Sequence, residues 1–404
     1  MLQRWVVLLS GFIFLSFALP AGETPPAPAA TPVPAPASAP AAAPAGGVSA
    51  KSIISFYGFI KMDAAWDESV IAPLGQNNSA QWAVNTPVTH LFALTARETR
   101  IGMNFEPPVI GSGPKITGRF ECDFYGGGNE DAAGVRTRLA YVDAAWFDDR
   151  LSIRAGQDWD VVAPITMSTE NVNLGNFQGS LGFRIPQLRV TTKFNVGTVK
   201  GTFAVAAVRP YAKADLDNDK LDDGTASGLP DGEARLELKS NTGNFGWTIG
   251  IGGVTGVEVL TVPAFVDYTV KGLAIDYKFE CTKKAVLSGE AWWGENIDSY
   301  DGGIGQGINT TLGVPIRAHG GFAQLVLSPT SKLTIKGGAG FDMCNTSDLN
   351  ASDRRLNYTW FANAGYMFGE KTTVTAEFQR IITQYIAAPT ADDNRVQLSI
   401  KYVF

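Results

Sequence analysis

The chain has 404 residues, a formal net charge of −6 and 45% apolar residues. This acidic balance excludes the strongly basic surface of a nucleic-acid-binding protein, and the 2 histidines leave little room for a histidine metal site or a catalytic dyad. The 3 cysteines are far apart and odd in number, so they indicate no disulfide framework.

The first segment, residues 1–21, is a predicted signal peptide. Arg4 precedes an apolar run from Trp5 to Leu19, and small residues follow where cleavage would occur. The run is about 15 residues long, whereas a membrane-spanning helix needs roughly 20. Export with removal is therefore favoured over a helical anchor, and no later stretch is apolar enough to predict a transmembrane helix.

Residues 22–50 form a predicted periplasmic linker that is rich in Ala and Pro. Such a composition offers too little apolar side-chain area to fold, and Pro favours the extended polyproline II conformation. Two interpretations stay open for this segment. It is a spacer without a binding role, or it contacts the cell wall or another periplasmic partner.

Residues 51–404 contain alternating segments separated by turn signals, without an amphipathic helix of comparable strength. Period-two alternation predicts strands with one apolar and one polar face. The pattern predicts an all-β fold of about sixteen strands. The predicted strands are Ile53 to Trp66, Leu94 to Phe105, Lys115 to Tyr125, Val135 to Phe147, Leu151 to Val161, Pro186 to Val196, Thr198 to Tyr211, Glu233 to Lys239, Asn244 to Val254, Tyr268 to Glu280, Lys283 to Glu295, Pro315 to Leu327, Lys332 to Asp342, Arg354 to Phe368, Thr372 to Tyr385 and Arg395 to Phe404.

The connections between these strands alternate in length, with tight turns such as Gly369 to Lys371 between long loops rich in Gly, Asn and Asp. The last strand ends on Phe404, which resembles the final strand of bacterial outer-membrane barrels; an ordinary edge strand is the alternative for this segment alone. Together these features predict a transmembrane antiparallel β-barrel in the bacterial outer membrane, with short periplasmic turns and long external loops.

A barrel of about sixteen strands encloses an aqueous channel. The excess of basic over acidic side chains on the polar face of the first six strands predicts that this channel prefers anions. In the alternative, the basic groups only pair with neighbouring carboxylates and rigidify the wall. The predicted pore-lining cations are Arg100, Lys115, Arg119, Arg136, Arg138, Arg154, Arg189 and Lys193, and the carboxylates on the same face are Glu121, Asp123, Asp158 and Asp160.

The long segment 162–185 is too apolar to extend freely into water. We predict that it folds into the channel and that Ser168 to Gln178 narrow it. Polar contacts opposite the basic wall are expected from Thr169, Glu170, Asn171 and Asn173. The alternative is a latch over a neighbouring subunit.

An acidic loop at residues 214–224 resembles a calcium-binding loop. Asp215, Asp217 and Asp219 have the alternating spacing of oxygen ligands, but Lys220 stands where an EF-hand needs Gly, and Ala226 stands where it needs a bidentate Glu. A Ca²⁺ site in an external loop and a solvated acidic loop both stay open. No other cofactor is predicted.

Several short motifs resemble those of the DcaP-like trimeric outer-membrane porins. They are F-Y-G-F-I-K-M-D-A near Phe56, R-E-T-R-I-G at Arg97, A-Y-V-D at Ala140, R-A-G-Q-D-W at Arg154 and R-I-P-Q-L-R-V at Arg184. The resemblance implies a homotrimer that passes dicarboxylates or related anions. The Ala/Pro segment lacks the heptads of the coiled coil that relatives often carry there.

The sequence therefore predicts a porin that gives passive diffusion to small hydrophilic, anionic solutes and contacts outer-membrane lipid. A structural or adhesive barrel is the first alternative. A barrel hydrolase is the second, but no Ser lies in a recognisable nucleophile elbow, and neither His90 nor His319 has an obvious partner. We accordingly expect no enzymatic activity.

Overall fold

Extended strands form almost wherever the sequence alternates. The computed structural model describes residues 53–72, 79–87, 90–108, 113–242 and 245–404. The predicted signal peptide at 1–21 and the Ala/Pro segment at 22–50 both lie outside these residues. The strands are β1 (Ile53–Asp67), β2 (Val70–Ala72), β3 (Trp82–Val84), β4 (Leu91–Thr95), β5 (Arg100–Glu106), β6 (Lys115–Asp123), β7 (Arg136–Trp146), β8 (Leu151–Trp159), β9 (Arg184–Val196), β10 (Val199–Val208), β11 (Asp231–Thr242), β12 (Phe245–Leu260), β13 (Val266–Thr282), β14 (Ala285–Glu295), β15 (Ile308–Asn309), β16 (Val314–Pro315), β17 (Arg317–Leu327), β18 (Leu333–Cys344), β19 (Arg354–Phe368), β20 (Thr372–Tyr385) and β21 (Ala391–Val403).

Seventeen of these strands form one closed antiparallel sheet. Because β4 and β5 both pair with β1 and follow one another along it, they count as a single interrupted strand, and the wall has sixteen strands. The ring closes where β1 pairs with β21, from Phe59 opposite Val403 to Asp67 opposite Arg395. The closed barrel leaves no unpaired edge, as a membrane wall requires. The predicted all-β barrel of about sixteen strands is confirmed.

The prediction of one continuous strand from Leu94 to Phe105 was wrong in detail, because residues 96–99 leave the ladder between β4 and β5. Two small hairpins inside the loops, β2 with β3 and β15 with β16, were not predicted. Within the described part of the chain, the helical elements are single 3₁₀ turns at Thr225–Ser227, Asp298–Tyr300, Gly303–Gly305 and Thr346–Asp348.

The two faces of the wall differ as the alternation predicts. On β1, Phe56, Ile60 and Met62 are exposed on the outside, whereas Lys61 and Asp63 are buried on the inside. The apolar surface of the barrel is thus its exterior, which suits contact with lipid.

The connections alternate in length around the ring. Tight turns such as Gly369 to Lys371 lie at one end, which we call the turn end, and long connections such as 160–183 lie at the other, the loop end. In outer-membrane barrels the short turns face the periplasm.

The largest buried apolar cluster lies within the barrel and not between its strands. Val162 and Leu181 from the loop after β8 pack against Trp292 of β14 and against Tyr300 and Ile304 of the loop after β14. These loops fill part of the interior at the loop end. Among the described residues, no helix is long and apolar enough to cross a bilayer.

Candidate functional site in the lumen

Strand register places the predicted basic residues on the inner face. Arg100 lies opposite Phe59, Arg119 opposite Asn104, and Arg154 opposite both Asp143 and Arg189. Lys115 and Lys193 lie on the same face nearer the turn end and are exposed. We call Arg100, Arg119, Arg136, Arg138, Arg154 and Arg189 the arginine ladder.

Carboxylates hold the loop-end part of this ladder. Arg136 donates from Nε and Nη2 to the two oxygens of Asp123, at 2.9 and 2.6 Å. Arg138 donates from Nε to Glu121 at 2.8 Å and from Nη1 to Asp123 at 3.0 Å. Planar guanidinium groups suit such forked contacts, which fix the direction of the remaining donors.

Tyrosine rings hold the next part. The Arg119 guanidinium lies 4.6 Å from the centroid of the Tyr57 ring, and its Nε donates to the Tyr57 hydroxyl at 2.6 Å. Arg154 lies 4.0 Å from the Tyr141 ring centroid and pairs with both Asp143 and Asp158. Stacking on an aromatic face restrains a cation without neutralising it.

The members of these ion pairs differ in exposure. The side chain of Arg136 is 32% exposed and that of Asp123 is 0% exposed; for Arg119 and Glu121 the values are 37% and 6%. Arg154 and Arg189 are likewise more exposed than their carboxylate partners, and only Arg138 is as buried as its own. Water in the lumen therefore meets mainly the cations of this wall.

The segment 160–183 lies inside the barrel, against the inner face of strands from β14 round to β1. The Thr169 hydroxyl and the Glu170 N–H donate to the carboxylate of Glu377 on β20, at 2.5 and 2.7 Å. Gln178 and Asn171 both bond to Gln379 on the same strand, at 3.0 and 3.2 Å. In the structure this segment folds into the barrel. It does not extend outward as a latch over a neighbouring subunit would.

The polar side chains of this segment point the other way from the prediction. Thr169, Glu170, Asn171 and Asn173 are all buried, because the wall strands, the connection between β2 and β3 and the segment itself supply their hydrogen-bond partners. Asn171, for example, bonds to Ala80 in both directions, at 3.0 and 2.8 Å. We therefore correct their expected role: they anchor the segment and do not present polar contacts to the basic wall.

The surface that the segment leaves accessible is mainly apolar. Pro164 is exposed, and Ile165, Val172 and Leu174 are partly exposed, whereas Met167 packs in a buried cluster with Phe322 and Phe361. The lumen thus combines a cationic wall with an apolar segment.

The sequence reasoning missed four groups of the site. Asp143, Tyr57 and Tyr141 face inward by the same parity that identified the arginines, so that signal could have found them. Arg184 was also missed as a site residue. Its guanidinium lies 4.8 Å from the Trp159 ring centroid, at the start of β9 where parity gives little guidance.

The acidic loop after β10 brings carboxylates together. Oxygen atoms of Asp215, Asp217, Asp219 and Asp223 lie within 4.8 Å of one another. Several already accept hydrogen bonds: Asp217 accepts from the N–H groups of Thr261 and Val262, at 2.5 and 2.9 Å. The predicted Ca²⁺ site at Asp215, Asp217 and Asp219 stays a prediction.

Both histidines lie away from the lumen. His90 stacks on Trp66 of the outer face, with centroids 5.6 Å apart, and His319 pairs with Trp293 on the outer face of β17. Cys122, Cys281 and Cys344 are free thiols. The lumen therefore contains no histidine that could act as the base of a hydrolase.

Comparison with known proteins gives the class of this fold. No protein-family model and no curated protein matches the chain. Among solved structures, the chain is similar to the outer membrane channel DcaP of Acinetobacter baumannii, with 18% identity, a TM-score of 0.73, and coverage of 88% of this chain and 99% of that one.

Two further porins are similar over comparable lengths. Salmonella typhi OmpF has 12% identity and a TM-score of 0.58, covering 87% of this chain and 97% of its own. The anion-selective porin from Comamonas acidovorans has 11% identity and a TM-score of 0.55, covering 88% of this chain and 100% of its own. At these identities the likeness concerns the fold, which is that of outer-membrane porins. The predicted resemblance to the DcaP-like porins is confirmed at that level.

Proposed function

We propose that the protein is an outer-membrane porin through which small hydrophilic anions diffuse passively. The observation that carries the anion preference is the difference in exposure within the ion pairs of the arginine ladder. Cations face the lumen water while their carboxylate partners are buried behind them. An entering anion meets donors that are already oriented, in a confined space where charge is less well screened than in bulk water.

The solute class that fits this lumen best is a small dicarboxylate. Guanidinium groups bind carboxylates through paired N–H donors, and the ladder repeats such groups along one wall. A solute with two carboxylates can contact two arginines of the ladder at once, whereas a chloride ion cannot. Support for this class also comes from the resemblance to the DcaP-like porins.

We infer two partners besides the solute. The apolar exterior contacts outer-membrane lipid, and the chain assembles as a homotrimer, an inference that rests on the family resemblance. A contact between the Ala/Pro segment and the cell wall also stays a proposal. Cross-linking of the purified barrel in detergent tests the trimer: a single subunit band would contradict it.

A planar-bilayer recording tests the function. In a salt gradient the wild-type channel should show a reversal potential on the chloride side, and small dicarboxylates should block the current at low salt. Replacing Arg119→Ser together with Arg154→Ser should shift the reversal potential toward cations, since both side chains are exposed in the lumen. The matched control is Lys239→Ser with Lys278→Ser, two half-exposed inward lysines at the turn end of other strands, and should shift it less.

Four outcomes would count against the proposal. A barrel that binds cells or matrix without conducting ions would be an adhesive barrel. A cation-selective wild-type channel would refute the anion preference, and so would a double arginine variant with unchanged selectivity. Hydrolysis of phospholipid by the purified protein would support the enzyme alternative.

A further inference from the structure

The outer wall carries a groove that the proposed function does not use. It lies at the loop end of β13, β14, β17, β18 and β19 and has a volume of about 870 Å³. Lys271, Arg317 and Arg355 line it from three different strands, with Glu295 as the only carboxylate in its lining. Three basic side chains thus lie close together on the outer wall.

Neighbouring groups hold these cations without covering them. Arg317 donates to both oxygens of Asp348, at 2.8 and 2.7 Å, and thereby holds the pKa of that carboxyl below its usual range. Lys271 pairs with Glu295 at 2.9 Å, and Arg355 donates to Gln384 at 2.6 Å. The side chains of Lys271 and Arg317 nevertheless remain 57% and 54% exposed.

The part of the groove toward the membrane centre is apolar. Trp293 and Leu273 are both exposed on the outer wall and both line the groove, together with Met343. Exposed aromatic rings at this height mark the boundary between the hydrocarbon core and the headgroups. The groove therefore presents cations at headgroup level directly above an apolar surface.

A second groove at the same end of the wall lacks this combination. It has a volume of about 450 Å³ and lies beside β9 and β10, with Pro186, Leu188 and Leu229 in its lining. Its single cation, Arg209, is paired with Asp222 at 3.0 Å. The cluster of three cations is hence a local feature and not a property of the whole rim.

We propose that the groove at Lys271, Arg317 and Arg355 binds the phosphorylated headgroup of a glycolipid in the outer leaflet, with its acyl chains on Trp293 and Leu273. Charge complementarity selects the phosphates, since Arg and Lys are the side chains that usually donate hydrogen bonds to phosphate groups in proteins. The apolar surface below selects a lipid over a free anion. This proposal rests on the outer-membrane location in the proposed function.

Binding of defined lipids to the purified full-length protein in detergent tests the proposal. The probes are bisphosphorylated lipid A, dephosphorylated lipid A and inorganic phosphate, each titrated by thermophoresis. Wild type should bind the bisphosphorylated form about tenfold or more tighter than the dephosphorylated form, because charge-assisted hydrogen bonds are lost with the phosphates. Inorganic phosphate at millimolar concentration should compete weakly.

The variant Lys271→Gln, Arg317→Gln, Arg355→Gln should bind both lipids equally. A second variant, Lys271→Gln with Arg355→Gln, keeps the contact between Arg317 and Asp348 and should lose most of the preference without risk to the loop. The control removes the same number of cations at the turn end, Lys283→Gln, Lys332→Gln and Lys371→Gln, and should bind as wild type does.

Equal affinity of wild type for the two lipids would overturn the proposal, and so would an undiminished preference in both groove variants. Full competition by inorganic phosphate would make this a free-anion site instead. Conductance recorded on the same preparations separates the two proposals, since it should be unchanged in the groove variants. A preparation that binds lipid A without conducting would contradict the porin function and leave the lipid site in place.

Discussion

The two halves of the inner wall pair their inward polar groups in different ways. On β5 to β9 the inward residues are guanidinium groups paired with carboxylates, and water reaches the cations. In the other half, the inward residues of β19 and β20 are largely amides, hydroxyls and a carboxylate, such as Asn363, Glu377 and Gln379, and the segment 160–183 covers them.

The difference shows that parity alone does not make a residue pore-lining. Both halves face inward, yet only the uncovered half can act on a solute. On the covered half, hydrogen bonds between side chains and loop backbone satisfy groups that would otherwise be costly to bury. We expect solutes to pass along the wall with charges, whereas the wall with amides holds the segment 160–183.

The largest expected effect on conductance comes from removing the inward segment that covers the second half of the wall. Replacing residues 165–178 by a Gly/Ser sequence of equal length deletes the anchors to β20 while keeping the chain connected. The single-channel conductance should rise by about twofold or more, because a sixteen-stranded barrel without an inward segment encloses a wide aqueous lumen. Recordings in symmetric salt measure the change.

The anion preference of that variant should fall, since a wider passage places solutes farther from the arginine ladder. A control that changes only the accessible face, Val172→Ser with Leu174→Ser, should leave the conductance close to that of wild type. Equal conductance in the replaced and wild-type channels would show that the segment does not narrow the passage.

A smaller effect, on stability, is expected from removing one carboxylate of the charged half. Asp123→Asn removes the buried carboxylate shared by Arg136 and Arg138. The free energy of unfolding should fall by about 3 to 5 kcal/mol, as for other buried ion pairs that lose one partner. Denaturant unfolding in detergent, followed by the gel shift between folded and unfolded barrel, measures it.

Asp143→Asn is the matched comparison. Arg154 keeps Asp158 as a second partner when Asp143 is changed, so this variant should be destabilised less than Asp123→Asn. Equal losses for the two variants would indicate that a second carboxylate beside the arginine does not lower the cost.

The smallest expected effect is that of salt on selectivity. The exposed side of the ladder should be screened as the Debye length falls from about 10 Å at 0.1 M to about 3 Å at 1 M. The chloride preference of the reversal potential should therefore weaken over this range at a constant concentration ratio. If the chloride preference does not depend on salt, the charges that select the anion are not the water-exposed ones of the ladder.

Much of this comparison could be read from the sequence, and the limits have physical causes. Alternation identified the strands and the inward arginines because a strand turns successive side chains to opposite faces. It could not identify the anchors, since Thr169 and Glu377 are 208 residues apart and meet only in the closed barrel. For the same reason, the buried state of Asn171 and Asn173 was not visible in their polar character.

The seam between β1 and β21 has a consequence for assembly. The inward segment is held from both sides of it: Glu170 pairs with Lys61 of β1 at 3.2 Å, and the Glu170 carbonyl accepts from Gln397 of β21 at 2.8 Å. Arg395 and Asp67 meet across the seam at 2.7 Å. This part of the binding surface is absent until the first and last strands meet, so the segment docks fully only after the ring has closed. A barrel whose ring is still open accordingly lacks these contacts to the inward segment.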